Sequence, residues 1–277
     1  MNEITNWFQS NLRTLNCNKT HFLQFLTKNE KEVPIQMSSN SLITNLNSIK
    51  FLGLTIDSTL SWKDHVVELT SKLNKAYFVI RIIKTFMSFN VLRTVYFSYF
   101  HTLSYGIIFW GNSRLSAIFK IQKRIIRIIT NKGKRDSCQQ LFKTLQILTV
   151  PSQYIYSLLI FVIKNRRLFL SNSEIHNINT RYNHNFHLIS TNLTIAQKGV
   201  HYSGSKVFSH LPANIKILSH DLKCFKSVLK NFLTEHTLYS LEEFYQLTSN
   251  QPWLILLLVF LALNYLQDKV DFVNSHT

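Results

Sequence analysis

From Ile118 to Ile129 the chain reads Ile-Phe-Lys-Ile-Gln-Lys-Arg-Ile-Ile-Arg-Ile-Ile, an alternation that a helix sorts into two faces. At helical spacing Lys120, Lys123, Arg124 and Arg127 fall on one side, and Ile118, Ile121, Ile125, Ile128 and Ile129 on the other. Such a segment needs an apolar layer to receive the isoleucines and open space beside the cations. The surroundings extend the constraint, because no acidic residue stands between Glu68 and Asp136 while thirteen lysines and arginines do. Solvated surfaces mix the two signs, since like charges repel and salt screens them only in part. A long one-signed stretch therefore points to a polyanion.

The whole chain carries the same bias, with 31 Lys and Arg against 14 Asp and Glu for a net charge of +17. That balance points to nucleic acid or an anionic membrane surface and says nothing of fold. An apolar share of 45% is enough for a packed core and argues against global disorder. Cys17, Cys138 and Cys224 lie far apart with no C-x-x-C, which fits a reducing intracellular compartment, nucleus or cytoplasm, and gives no zinc or disulfide pattern. Met1-Asn2-Glu3-Ile4 lacks the basic-then-apolar pattern of a signal peptide. Trp253 to Leu263 is an unbroken apolar run, resumed at Tyr265-Leu266. It is shorter than the roughly 20 residues that span a bilayer and reads as a buried or interfacial segment, with membrane association as the alternative.

Taken in order, the chain predicts a mainly α fold with a small α+β N-terminal part. Ile4, Trp7, Phe8, Leu12 and Leu15 are spaced for one helix face, and His21 to Leu26 reads as a strand. Pro34 and the Ser/Asn-rich piece Ser38 to Asn47 suggest a hairpin connection. Ile49 to Asp57 is a second strand with Gly53 in its middle, the mark of a bend or a close backbone approach. Ser61-Trp62-Lys63-Asp64 resembles a capping box, after which Val66, Leu69, Leu73, Ala76, Ile80, Ile83 and Met87 recur at steps of three and four. A second helix, from Ser88 through Tyr105, is apolar almost all round and is expected in the middle of a bundle. Its aromatics are read chiefly as core, with base stacking as the other role. Gly106 and Gly111-Asn112-Ser113 lead into the basic helix, and Asn131-Lys132-Gly133-Lys134-Arg135 closes it in a cationic turn. Asp136 to Leu145 reads as a short helix, and Pro151 opens a longer apolar one. Ser171 to Thr194 has loop composition, and its His176, His184 and His187 lack a carboxylate or cysteine at ligand spacing, so no metal site is expected. Asp221 to Leu233 is an amphipathic helix with Lys223, Lys226 and Lys230 on its polar side.

Four stretches carry a resemblance to a known family. They are Leu15-Asn16-Cys17-Asn18-Lys19-Thr20 with Phe25; Lys50 to Asp57 followed by Leu60-Ser61-Trp62; Ser104 to Gly111 with Ile121 to Arg127; and Tyr202 to Pro212. In that order they resemble the C-terminal part of the reverse transcriptase of jockey-type non-LTR retrotransposons: motif D, motif E with its exit into the thumb, the helices that follow, and a segment near the end of such polyproteins. The likeness runs from about residue 1 to about residue 245. It implies the end of a palm subdomain over 1–60, a helical thumb-like bundle over 61–170, a helical and loop region over 171–245, and a tail over 246–277 with no counterpart in the family.

The resemblance also implies roles. Lys19 matches the motif D lysine, a proton donor to pyrophosphate in a complete enzyme. Lys50, Phe51, Leu52 and Gly53 match the primer grip. Lys120, Lys123, Arg124, Arg127, Lys132, Lys134 and Arg135 would be the thumb's phosphate contacts along a primer–template duplex of RNA, DNA or an RNA–DNA hybrid, setting position and affinity without reading sequence. Reverse transcriptases hold two Mg²⁺ ions on carboxylates that include a neighbouring Asp-Asp pair. This sequence has no Asp-Asp, so the expectation is a truncated, catalytically inactive product with no cofactor of its own that retains non-specific nucleic-acid affinity. The alternatives are a basic helical protein anchored to a membrane by residues 253–266, and a translated relic without function.

Overall fold

The computed structural model of the chain describes residues 2–16, 19–25, 46–101, 105–176 and 185–249. The fold is mostly α-helical, with a small two-stranded β element near the N-terminal region. Cys17, Pro34, Ser38 to Asn45, His184 and the apolar run Trp253 to Leu266 lie outside the described residues.

The N-terminal helix α1 (Asn2–Ser10) is shorter than its apolar spacing suggested, and its Ile4 and Trp7 are exposed rather than packed. His21 to Phe25 does not form a regular strand; Leu46 N–H donates to the Phe22 carbonyl at 3.2 Å. The expected second strand is instead a hairpin of β1 (Ser48–Phe51) and β2 (Leu54–Asp57), antiparallel with Phe51 opposite Leu54. That register leaves a two-residue turn, Leu52 (φ 47°) and Gly53 (φ 83°), in the doubly left-handed form that suits the twist of paired strands. A Cβ on Gly53 would meet nothing within 4 Å, so the glycine serves the backbone angle and not a close approach.

Asp57 ends β2 and organises the exit. Its carboxylate accepts from Thr59 Oγ1, Ser61 N and Trp62 N at 2.5–2.9 Å. Burial works against its charge, but these donors outweigh burial and hold its pKa below the usual aspartate value. This carboxylate takes the Ser61 N–H that a Ser61–Asp64 capping box would give to Asp64, while Ser61 Oγ accepts from Lys63 N at 3.4 Å; α2 (Lys63–Ile83) begins at a left-handed Trp62 with no side-chain cap of its own. Along α2 the predicted stripe holds, with Val66, Leu69, Leu73, Ala76 and Ile80 buried, while Met87 is exposed beyond the helix end.

The helix expected at the centre lies at the side. α3 (Phe89–Tyr96), continued by a π turn over Phe97–His101, buries Leu92, Tyr96 and Phe100 but leaves Val91 and Tyr99 in solvent. After the short α4 (Ile107–Trp110), α5 (Leu115–Ile129) and α6 (Gln139–Leu145), the centre is α7 (Val150–Lys164). Its Tyr154, Ile155, Leu158, Leu159 and Val162 have no exposed surface. Thr149 caps it by accepting from Ser152 N, and Pro151 sits in the first turn, where a missing N–H leaves nothing unpaired. α7 packs on α4, α5 and, further along the chain, α10 (Val200–Ser209) and α12 (Leu222–His236).

Between these come two short helices, α8 (Asn172–His176) and α9 (Thr194–Gln197). Ser171 and Phe186 form an isolated antiparallel bridge within the expected loop. α11 (Ala213–Ile217) precedes α12, and α13 (Leu241–Ser249), not singled out by its pattern, follows it and buries Phe244. On α10 the small residues Ser203, Gly204 and Ser205 are buried, and a Cβ on Gly204 would come within 2.7 Å of Val162 Cγ2. That part of the motif is therefore used to bring α10 close to α7.

One polar side chain ties the bundle together. Gln122, on the buried face of α5, donates through Nε2 to Tyr96 Oη (2.8 Å) and the Leu148 carbonyl (2.9 Å). Its Oε1 accepts from Val150 N at 2.9 Å, one of the orphan donors at the start of α7.

Candidate nucleic-acid interface

α2 and α5 pack together, and a groove of about 640 Å³ opens along their junction. Tyr77 and Arg81 of α2 line it with Lys120, Lys123, Arg124, Arg127 and Ile128 of α5, and with Lys132 and Lys134 from the turn beyond. The turn is built by backbone chemistry. Asn131 is left-handed (φ 57°), its N–H donates to the Ile128 carbonyl (3.2 Å), and Lys132 N–H donates to that of Arg127 (2.9 Å). This double closure satisfies two carbonyls at the negative end of α5, and the lysines that follow are favourable there.

Further contacts fix the turn. Lys84 Nζ, just past α2, donates to Asn131 Oδ1 (2.8 Å), and Arg127 Nε donates to the Asp136 carbonyl (2.9 Å). The Asp136 carboxylate accepts from Gly133 N (2.8 Å), so this acid is spent inside the turn. Lys123 Nζ stands 4.6 Å from the Phe119 ring centre and 5.3 Å from that of Tyr239. Among the described residues no groove cation has a carboxylate within salt-bridge distance; the ion pairs are those of Lys50 and Lys72 with Glu68 (2.8 and 2.9 Å).

The expected binding residues thus divide. Lys120, Lys123, Arg124, Arg127, Lys132 and Lys134 converge on one groove, and Arg135 is exposed in the same turn without lining it. Ile128, assigned to the core by its spacing, is only partly buried and forms part of the groove wall. Phe51 and Leu52 are exposed at the hairpin tip. Lys50 belongs to a second cluster, in which the Glu68 carboxylate accepts from Lys50, Lys72 and Thr55. Those three partners draw the Glu68 pKa down to about 2. Glu68 and Tyr77 are nine residues apart on α2, about two and a half turns, so the hairpin and the groove occupy opposite flanks of that helix. Lys19 sits at an exposed turn whose N–H donates to the Asn16 carbonyl, 3.1 Å away.

Sequence reasoning did not single out Tyr77 and Arg81. Both fall in the acid-free stretch, one turn apart, but only the packing of α2 on α5 shows which cations they join. Arg93, by contrast, is structural: its Nε donates to the Leu145 carbonyl at 3.2 Å, and it lies over the Phe97 ring. Lys223, Lys226 and Lys230 line a separate shallow groove of about 460 Å³ with Tyr156 and Leu222.

Comparison with protein-family models, curated proteins and solved structures finds no match. Among the described residues no three His, Cys, Asp or Glu side chains gather to hold a metal; the rings of His176 and His187 meet edge to face at 5.2 Å. Among the described residues no single helix is long and apolar enough to cross a membrane.

Proposed function

We propose that the chain is a retrotransposon-derived fragment of reverse-transcriptase type that polymerises nothing by itself and holds RNA or DNA backbone without reading sequence. The observation that carries this reading is the α2–α5 groove, where Arg81, Lys120, Lys123, Arg124, Arg127, Lys132 and Lys134 converge. In this reading the hairpin and the helix before it stand for the end of a palm, and the bundle from α2 to α7 for a thumb. The resemblance of the four motifs supports that assignment. The hairpin tip, with Phe51 and Leu52 exposed, lies on the far flank of α2 from the groove.

Fluorescence anisotropy of a labelled duplex or hybrid over a salt series tests the proposal. Five to seven neutralised phosphates give a log K against log [salt] slope of about −5 to −6 for B-form DNA. Lys120→Glu with Arg124→Glu is expected to weaken binding of all sequences alike and to shrink the slope by about 2. Lys223→Glu with Lys226→Glu, outside the groove, is the control and leaves the slope nearly unchanged. Affinity that ignores salt, or that falls equally with both pairs, overturns the reading.

A further inference from the structure

We infer, on the reading that the groove holds nucleic acid, that it takes an unpaired strand in preference to a duplex and that one base of that strand lies against the Tyr77 ring. The groove has two chemistries at once. Its cations come from α5, from the turn after it and from Arg81, while Tyr77 and Ile128, both partly buried, add a ring and an apolar side chain. A phosphate backbone uses the cations and can accept from the Tyr77 hydroxyl, whereas the ring face and Ile128 offer surface that only a base would cover.

A duplex keeps its bases stacked inside and offers phosphate and sugar outward. Its base faces therefore cannot reach a ring set among cations between two packed helices, whose axes lie only about 8–10 Å apart. An unpaired strand can place a base there while its phosphates meet the lysines. Arg81 stands four residues along α2 from Tyr77, about 6 Å of rise, placed for a phosphate next to the stacked base. Every base has a π-face, so such a platform raises affinity without choosing sequence, in keeping with a groove built from cations and one ring. Other exposed aromatics, Phe78, Tyr99 and Phe109 among them, do not line this groove.

The test uses the full chain and three labelled probes of equal length: oligothymidylate, the same backbone with abasic sites, and a blunt duplex. The thymidylate probe is expected to bind roughly five- to a hundred-fold tighter than the abasic one, the range for one base on one ring. Tyr77→Ala is expected to abolish that preference and to leave the salt slope intact, whereas Tyr77→Phe keeps both. Since Tyr77 also packs on the core, a second measurement avoids substitution. Strands carrying 5-iodouracil are irradiated on the unaltered protein, and the cross-linked peptide is mapped, with Tyr77 the expected site. Equal affinity for thymidylate and abasic probes, or cross-links confined to other aromatics, overturns the inference. Failure of the abasic and duplex probes to show salt-dependent binding would instead sink the groove reading itself.

Discussion

Replacing Gln122 by leucine removes a carboxamide of similar size and leaves three buried partners behind. The Val150 N–H loses its acceptor, and the Leu148 carbonyl and Tyr96 hydroxyl lose their donor. Gln122 is 1% exposed and Tyr96 is 1% exposed, so water does not replace what is lost. An unsatisfied buried group costs about 1–3 kcal/mol, and leucine returns some apolar contact, so Gln122→Leu is expected to destabilise by about 3–6 kcal/mol. For a chain of this size that lowers Tm by on the order of 10 °C or more. Urea melts followed by circular dichroism at 222 nm should show the midpoint falling with the slope unchanged, the sign of lost stability without a change in exposed area. Tyr96→Phe removes one bond and should cost about 1 kcal/mol. Combined with Gln122→Leu it should be less than additive, because the orphaned hydroxyl is then gone. A Gln122→Leu protein within 1 kcal/mol of the parent would refute the argument that this amide joins α3, α5 and α7.

Acid is expected to weaken the hairpin's seat on α2 through His65, whose Nδ1 accepts from Thr55 N (3.3 Å) and whose pKa burial pushes below 6.5. The unfolded chain binds that proton first, so this contribution is complete above pH 6.5 and is lost as pH falls through the lower folded value. His236, also lowered by burial, adds in the same sense, so His65→Gln should flatten the Tm–pH profile below 6.5 without abolishing its slope. Glu68 contributes above its ordinary value near 4.5 and loses its share as pH falls toward about 2, a separate and more acid window. Gly204→Ala gains about 1 kcal/mol in helix propensity, yet it sets a methyl against Val162. The overpacking, at about 1–3 kcal/mol, is expected to win, and thermal melts should show a lower Tm.

What the sequence made legible was local and periodic. The buried stripe of α2, the two faces of α5, the cationic turn at Asn131 and the opening of α7 at Pro151 all follow from spacing and turn chemistry within a few residues. What it hid depended on partners far along the chain. Val91 and Tyr99 look like core by composition, and only the position of α7 leaves them outside. Ser61 has the local form of a cap, but its hydroxyl accepts only a long bond from Lys63 N (3.4 Å), and its own N–H goes to Asp57, folded back from the hairpin, rather than to Asp64. The lysines and arginines of α5 were identifiable as a set, whereas Tyr77 and Arg81 join them through helix packing that no pattern along α2 specifies. The offset between Lys50 and the groove is likewise a matter of which side of α2 each element meets.

The central place of α7 binds the fate of distant segments together. α5, which displays the groove cations, rests on α7, and α7 in turn rests on α10 and α12, more than seventy residues after the last groove lysine in the case of α12. A frameshift or premature stop between Lys164 and Val200 would leave every groove residue encoded yet strip the far side of the rod that supports them, baring Val162, which Gly204 meets, and Tyr154, beside Ser203. Genetic damage well downstream should therefore remove the cationic groove by aggregation, and mutational tolerance in this chain ought to track distance from α7 in space rather than position along the reading frame.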